Sequence, residues 1–283
     1  MFNSCYGVIC CCLFAVAGVA EGQTAASHYQ PPAASQAVLG DVVKQLENAK
    51  PVDGSQFKAH PAKFIGILPG GQLYFEVGGL DVDDDGGTAG SPAGWNPHPI
   101  RGGKVDKSHQ SQTSYGGVLP AKAGDSDPIS AFNVPYIVLP GDQGKDAQGK
   151  PKPLWYKALG IGIKSGDGVV VIKGDKHIVA VFADSGPANK IGEMSLKGHE
   201  LFGEDVFEQV SVPVLDAGGK PVMDAATGKP ATKVETRTRN KGGVGPYIVI
   251  VFPGSSVGRK FTSVEESLKP AIEAKFGALV GAK

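Results

Sequence analysis

The feature that most restricts the fold of this chain is a series of short apolar runs separated by polar stretches rich in glycine and proline. The clearest runs are Leu73–Val77, Val134–Leu139 and Tyr247–Phe252. The chain contains 41 glycines and 21 prolines, a composition that suits many turns between short strands. Few helical patterns lie between the runs, which disfavours a parallel α/β fold. We therefore predict a mainly β fold, with one β-rich, barrel-like domain over residues 51–255.

Local patterns add detail to this prediction. Val169–Lys173 and His177–Ala183 flank a short glycine-containing turn and predict a hairpin. The run Tyr247–Phe252 is almost continuously apolar, which is typical of a central strand that is buried on both faces. Three segments with an opening aspartate and a late glycine predict hairpin tips: Asp146–Pro151, Asp216–Pro221 and Asp224–Pro230.

Helical patterns appear only near the two ends of the chain. Residues 35–50 repeat apolar side chains at helical spacing, with Ser35 as a candidate cap. Near the other end, Ser263 and Glu266 fit a capping box that precedes Leu268 and Ile272. We predict an N-terminal helix within residues 21–50, after a polar tether, and a C-terminal helix within residues 256–283.

The first 20 residues have the pattern of a cleavable leader. Residues 7–20 are apolar, a run of about 14 residues that is too short to span a bilayer, and Gly18 and Ala20 suit a cleavage site. A buried N-terminal strand or helix is the alternative. All four cysteines lie inside this segment (Cys5, Cys10, Cys11 and Cys12). We therefore predict a signal peptide over residues 1–20, an exported protein, and a mature chain that is stabilised by a packed core without disulfides.

Charge and motifs exclude several classes of function. The 28 basic and 28 acidic residues give a net charge of zero, whereas nucleic-acid-binding proteins usually show a basic excess. No later apolar run is long enough for a membrane span, and no phosphate-binding glycine loop, serine nucleophile elbow or zinc-protease motif is present. The six histidines are scattered, so we predict neither a metal site nor a cofactor. Without a cysteine nucleophile, carboxylates are the remaining candidates for catalysis.

Two carboxylates stand out by their position. A predicted strand ends directly at Asp184, and Glu193 follows after a short loop with small residues around it. Glycoside hydrolysis needs such a pair, because one carboxyl protonates the leaving oxygen while the other activates water or attacks carbon. The alternative is a turn aspartate and a solvated glutamate with no catalytic role.

The segment Val181–Ser195 resembles the active-site segment of the fungal-type chitosanases, glycoside hydrolase family 75. Three other segments are similar to that family in the same order: Leu80–Gly86, Gln112–Ser114 and Asp127–Pro140. The resemblance implies an exported, endo-acting and inverting hydrolase that cleaves β-1,4 links between the glucosamine units of chitosan. It also implies that Asp184 and Glu193 are the two essential carboxyls; we assign Glu193 as the acid and Asp184 as the base. We expect a monomer whose partner is chitosan or a glucosamine oligosaccharide.

The acidic stretch Asp81, Asp83 and Asp85 has its own physical interpretation. Chitosan is a polycation at mildly acidic pH, and clustered carboxylates near a cleft attract its ammonium groups. The alternative is a solvated turn after the first strand. A calcium loop is excluded, because its twelfth position is Pro92 rather than glutamate. The further candidates for substrate binding are Thr113 and two aromatic residues that could stack on sugar rings, Trp95 and Tyr115, while Trp155 suits the core as well.

A second hypothesis has a different functional class. Residues 206–243 have no counterpart in the chitosanase family, and the loop between Asp184 and Glu193 is shorter than in the fungal members. Both departures suit a non-catalytic carbohydrate-binding or cell-envelope protein on the same scaffold. An exported β-protein of another function is the third alternative. Cleavage of chitosan separates the first hypothesis from the other two.

Overall fold

The computed structural model describes residues 29–58, 61–101, 104–115, 129–141, 143–239, 242–256, 266 and 268–281. The predicted signal peptide with its four cysteines lies outside these residues, as does Ser263 of the predicted capping box. Within the described part of the chain, no helix has both the length and the apolar character that a membrane span requires.

The described residues form thirteen strands and five helices. The strands are β1 (Lys50–Pro51), β2 (Ala62–Ile67), β3 (Leu73–Gly79), β4 (Asp81–Asp83), β5 (Ile100–Arg101), β6 (Lys104–Val105), β7 (Tyr136–Pro140), β8 (Gly168–Lys173), β9 (Lys176–Gly186), β10 (Glu193–Ser195), β11 (Phe207–Pro213), β12 (Thr232–Thr238) and β13 (Val244–Phe252). The helices are α1 (Ala33–Leu39), α2 (Val42–Leu46), α3 (Trp155–Ala158), α4 (Leu196–Leu201) and α5 (Lys269–Val280).

Nine strands form one mixed sheet in the order β1-β2-β3-β13-β8-β9-β7-β10-β4. The pairs β7/β9 and β10/β4 are parallel, and the other six pairs are antiparallel. The prediction of a single, mainly β domain is confirmed. The prediction of a barrel is wrong for the described strands, because the sheet is open with β1 and β4 at its edges. These edges are only two and three residues long, so they offer few backbone groups for closure.

The sheet is buried on both faces. Alternate residues of β13 point to opposite sides: Ile248 and Ile250 join one core, whereas Val249 and Val251 join the other. The prediction of a central strand buried on both faces is confirmed, since β13 lies between β3 and β8 and contributes to both cores. Each fully buried side chain of this kind contributes about 1.5–3 kcal/mol to folding, so the two cores explain how the described chain is held without disulfides.

Four of the five described helices contribute to one of these cores, whereas α3 contributes Trp155 and Tyr156 to the other. The predicted N-terminal helix is divided into α1 and α2 at Gly40, whose φ is +49°. A Cβ at Gly40 would lie 2.3 Å from the carbonyl oxygen of Val280, so glycine allows α5 to pack against this corner. Ser35 is not the cap, because α1 begins at Ala33 and Ser35 is buried inside it. The C-terminal helix is confirmed as α5, with Pro270 in its first turn, where proline is tolerated.

The hairpin of β11 and β12 forms a separate two-stranded sheet within residues 206–243. All three predicted hairpin tips are closed by isolated bridges at their prolines: Lys145 with Pro151, Leu215 with Pro221, and Met223 with Pro230. Near the base of this hairpin, the carboxylate of Glu204 contacts the side chains of His199, Lys173 and Tyr247. Burial opposes ionisation, but these hydrogen bonds lower the pKa of Glu204 to about 2. The network ties the hairpin to α4, β8 and β13.

Candidate active site

The two predicted catalytic carboxyls lie on one sheet face, on either side of Val138. In register, Asp184 of β9 is paired with Val138 of β7, and Val138 is paired with Glu193 of β10. Glu193 is in turn paired with Asp81 of β4. Residues that are paired across strands point to the same face of a sheet. We call Asp184, Glu193 and Asp81 the acidic row.

A bulge brings Asp184 into this row. The pairing of β7 with β9 is regular at Ile137 and Phe182, but Val138 is paired with Asp184, so Ala183 is an extra residue. Without the extra residue, Asp184 would point to the same face as Phe182, into the opposite core. A bulge of this kind turns the following side chain to the other face of the sheet. The direction of Asp184 therefore depends on the inserted Ala183.

The carboxylate of Asp184 is buried and held by the segment that contains Ser114. Its Oδ1 accepts hydrogen bonds from the Ser114 backbone N–H at 2.8 Å, the Ser114 hydroxyl at 2.5 Å and the Ser185 N–H at 2.7 Å. The Tyr115 N–H donates to the Ala183 carbonyl at 3.0 Å, which fixes this segment beside the end of β9. All three of these hydrogen bonds use Oδ1, so Oδ2 is the oxygen that remains for proton transfer.

Glu193 is bound by Lys190 from the loop between β9 and β10. The ammonium of Lys190 lies 2.7 Å from Glu193 Oε1 and 2.7 Å from Asp81 Oδ2. We call Asp81, Lys190 and Glu193 the ion bridge. Burial lowers the pKa of Lys190, but the hydrogen bonds to Asp81 and Glu193 outweigh it, and the net pKa is raised. Lys190 is therefore a stable cation within the site.

A second group of carboxyls shares Asp184 with the acidic row. Side-chain oxygens of Asp83, Asp85 and Asp184 all lie within 4.8 Å of one another, and we call these residues the carboxyl cluster. Asp83 is 8% exposed, and its Oδ1 accepts hydrogen bonds from the Tyr136 hydroxyl at 3.0 Å and the Asp85 N–H at 2.8 Å. Burial, followed by repulsion from Asp85 and Asp184, raises the pKa of Asp83 well above its usual range.

Asp85 is also protonated more readily than an ordinary aspartate. Burial is the largest cause, and the nearby charges of Asp184 and Asp84 act in the same direction, so that the pKa of Asp85 is about 7. A hydrogen bond from the Gln110 N–H and the imidazole of His109 oppose this rise. A proton shared within the carboxyl cluster therefore reduces the repulsion between its closely spaced carboxyls near neutral pH.

The other predicted binding residues differ in how far they are exposed. Asp81 and Asp85 are partly exposed, whereas Asp83 lies behind them and is buried. The ring of Tyr115 is 2% exposed and belongs to the core, so it has no face open to a sugar and the predicted stacking role is not supported. Trp155, weighed as either a stacking or a core residue, is a core residue against Phe57.

Thr113 and Trp95 lie near the acidic residues but differ in their contacts. Thr113 is buried, and its Oγ1 has no hydrogen-bond partner among the described residues. Trp95 is partly buried; its indole N–H donates to Thr238 at 3.1 Å, and its ring packs edge-on against Phe132 and His109. Trp95 therefore joins the hairpin of β11 and β12 to the site.

Several site residues were missed in the sequence. Lys190 and Tyr136 had no motif to mark them, although Lys190 lies between the two predicted carboxyls in the chain. His109 was set aside with the scattered histidines, yet its Nδ1 lies 2.8 Å from the Asp84 carbonyl oxygen. The side chains of Asp84, Asp85 and His109 also approach one another closely enough for a cation to be held, and no metal was predicted there.

A cavity of about 100 Å³ adjoins the ion bridge. Its lining combines β4, the loop before β5 and the end of β12, and includes Asp81, Asp84, Asp106, Lys190 and Arg239. The segment 206–243 thus contributes a wall next to the acidic row. In comparisons with known proteins, no family model matches the chain and no curated protein matches it. A functional assignment therefore rests on this geometry and on the sequence resemblance.

Proposed function

We propose that the protein is an exported, endo-acting chitosanase that hydrolyses β-1,4 links between glucosamine units. The observation that carries the proposal is the placement of Asp184 and Glu193 on one sheet face, on either side of Val138. This placement brings together two carboxyls from strands that are not neighbours in the sheet. The alternative for this pair is a turn aspartate and a solvated glutamate. That alternative gives no reason for the two side chains to share a face, or for a bulge that turns Asp184 to that face.

The spacing of the pair supports hydrolysis with inversion. Because β7 lies between β9 and β10, the Cα atoms of Asp184 and Glu193 are separated by two strand spacings, about 10 Å. Inverting glycosidases hold their carboxyls about 6.5–9.5 Å apart, which leaves room for a water beside the sugar. Retaining enzymes hold their carboxyls about 5–5.5 Å apart, which is closer to one strand spacing than to two. Val138 lies between the two carboxyls and is itself buried in the core.

Charge supports a cationic substrate. The site has an excess of negative charge. Its carboxyls are those of the acidic row, Asp84 and Asp85, and they outnumber the cations Lys190 and His109. A surface with this excess attracts the ammonium groups of chitosan and raises its local concentration. Export agrees with the same proposal, since a polymer of this size is met outside the cell, and the apolar leader of residues 1–20 would supply that export.

The proposal is tested by the release of reducing ends from chitosan between pH 4 and 7. We expect hydrolysis by the purified protein, and a loss of about 100-fold or more in kcat for Asp184→Asn and for Glu193→Gln. Matched controls are Asp175→Asn, in the exposed turn between β8 and β9, and Glu200→Gln, on the exposed side of α4. Both controls keep full activity, and circular dichroism checks that all four variants are folded.

Two results would overturn the proposal. The first is a wild-type protein that releases no reducing ends, and the second is a pair of site variants that remain as active as the controls. If the inert wild type nevertheless binds chitosan, and Glu193→Gln binds it equally well, the result supports the non-catalytic carbohydrate-binding hypothesis instead.

A further inference from the structure

The ion bridge assigns different roles to the two proposed catalytic carboxyls. Accepting the proposed hydrolysis of chitosan, we infer that Lys190 is a positioning residue that fixes the Glu193 carboxyl by a direct ion pair, so that Glu193 is the general base and Asp184 the general acid. This reverses the roles assigned from the sequence.

The geometry of Lys190 differs from that of an ordinary surface lysine. Its side chain is 19% exposed, and those of Glu193 and Asp81 are 15% and 24% exposed. The loop that carries it is fixed at its end, because the Asp81 N–H donates to the Gly192 carbonyl at 2.9 Å and Gly192 has a φ of +101°. A fixed, largely buried ammonium therefore sets the position of Glu193 Oε1.

The other oxygen of Glu193 is left for chemistry. Oε1 is used by Lys190, whereas a Cβ at Gly186 would lie only 2.6 Å from Oε2. The absence of a side chain at Gly186 therefore leaves room for Oε2 itself. Oε2 is the oxygen that Lys190 does not bind, and the side chain is 15% exposed, so Oε2 is the atom that can accept a proton from water.

Asp184 has the opposite electrostatic surroundings. Within the described residues, no lysine or arginine forms an ion pair with Asp83, Asp85 or Asp184. Three carboxyls within 4.8 Å of one another resist full ionisation together, and burial raises the pKa of Asp83 and of Asp85, so the carboxyl cluster holds a proton beside Asp184. Glu193 faces Lys190, Asp81 and Asp83, and among these the cation at 2.7 Å is the one in direct contact with it.

The proton transfers balance with these roles. Glu193 takes a proton from water as the water oxygen bonds to the anomeric carbon. The bond between that carbon and the leaving oxygen breaks, and Asp184 gives its proton to the leaving oxygen. One water is consumed, and exchange with solvent returns each carboxyl to its starting state.

The first experiment compares Lys190→Met with Lys190→Arg on a chitosan oligosaccharide. We expect kcat to fall about tenfold or more in Lys190→Met with little change in KM, and the acidic limb of the kcat profile to move to higher pH. Lys190→Arg restores most of kcat because it keeps the cation. The matched control is Lys197→Met, which breaks the exposed pair with Glu200 on α4 and leaves the profile unchanged. An unmoved acidic limb in Lys190→Met would overturn the inference.

The second experiment separates the roles directly. A glucosamine oligosaccharide with an activated leaving group needs no acid, so we expect Asp184→Asn to cleave it at a rate within about tenfold of the wild type. Glu193→Gln stays inactive on the same substrate, because it still lacks the base. The opposite pattern, with only Glu193→Gln rescued, would return the roles to those assigned from the sequence.

A third measurement does not depend on activity. The titration of the Lys190 Cε carbon, followed by NMR, should show a lower pKa in Glu193→Gln than in the wild type, because one of its two carboxylates is lost. If the protein is inert on chitosan, the proposed function fails while this result still tests the ion bridge. An unchanged Lys190 titration would show that the ion bridge does not form, and the inference would fail by itself.

Discussion

In the carboxyl cluster, individual residues lie where their charged forms are unfavourable. Asp83 is buried with only hydrogen-bond donors and other carboxyls around Oδ1, and Asp85 lies beside it with a pKa of about 7. Removing such groups from water disfavours their charged form. Destabilised clusters of this kind are expected at functional sites, where natural proteins are not at their optimum of stability.

This cluster makes a prediction for Asp85→Asn. Because the pKa of Asp85 is raised above its ordinary value of 3.8 to about 7, the proton is held more tightly in the folded state. Its stabilising effect is therefore complete below about pH 4 and is lost as the pH rises through 7. The variant is neutral at every pH, so we expect its Tm to exceed that of the wild type by about 3 °C at pH 8 and by little at pH 4.

Thermal unfolding at the two pH values, with Asp175→Asn as the control in an exposed turn, checks this. A Tm of Asp85→Asn that is equal to or below the wild-type value at pH 8 would contradict the account of the cluster.

At the level of single residues, the sequence predicted the site only in part. The sequence indicates Asp184 and Glu193 because one follows a predicted strand, the other lies across a short loop, and their segment resembles the active-site segment of the family-75 chitosanases. Lys190, on the same loop, carried no signal, since a lysine in a polar loop usually projects into solvent. The burial of Asp83 and Tyr115 also could not be predicted, because it depends on Tyr136 and on packing from distant segments.

Among the elements, β9 contributes most to the site. Its bulge at Ala183 turns Asp184 to the face of Glu193, and its last residue, Gly186, lies against the Glu193 carboxylate. The hairpin of β8 and β9 was predicted correctly, with a two-residue turn that has Gly174 at a φ of +60° and suits a type II′ geometry. The bulge was not predicted, because the sequence around it reads as a regular strand.

The last residue of β9 gives a second prediction. In Gly186→Ala the new methyl group would lie 2.6 Å from Glu193 Oε2 and 3.0 Å from Val138 Cγ1, so the carboxylate must move. We expect kcat on chitosan to fall about tenfold or more, since small displacements of a catalytic group are costly. The control is Gly78→Ala on β3, where an added Cβ meets nothing within 4 Å.

Steady-state kinetics on chitosan compare the two variants, with thermal unfolding to show that both are folded. Equal kcat values for Gly186→Ala and Gly78→Ala would contradict the position given to Glu193.

For the molecule as a whole, composition predicted the fold class but not the topology. The mainly β class, the central strand and the terminal helices follow from local patterns of apolar residues, glycine and proline. The order of nine strands depends on pairings between distant segments, such as β4 with β10, which local patterns do not record. The open edge at β4 follows from that order, and it is also where the acidic row ends.

The open sheet places the proposed site beside the hairpin of β11 and β12. A substrate lying across the acidic row would meet the cavity lined by Asp81, Asp106 and Arg239. Residues 206–243, which have no counterpart in the resembled family, therefore adjoin the site rather than lying at a distance from it. The whole arrangement agrees with a polymer that crosses the row and is cut between Asp184 and Glu193.

The most direct test of this account is the configuration of the first product, followed by proton NMR while the protein acts on chitosan. Two carboxyls separated by a full strand predict inversion, so the new reducing end should appear as the α-anomer and convert to the β-anomer only later. A first product with the β-configuration, or no new reducing end at all, would contradict the central claim.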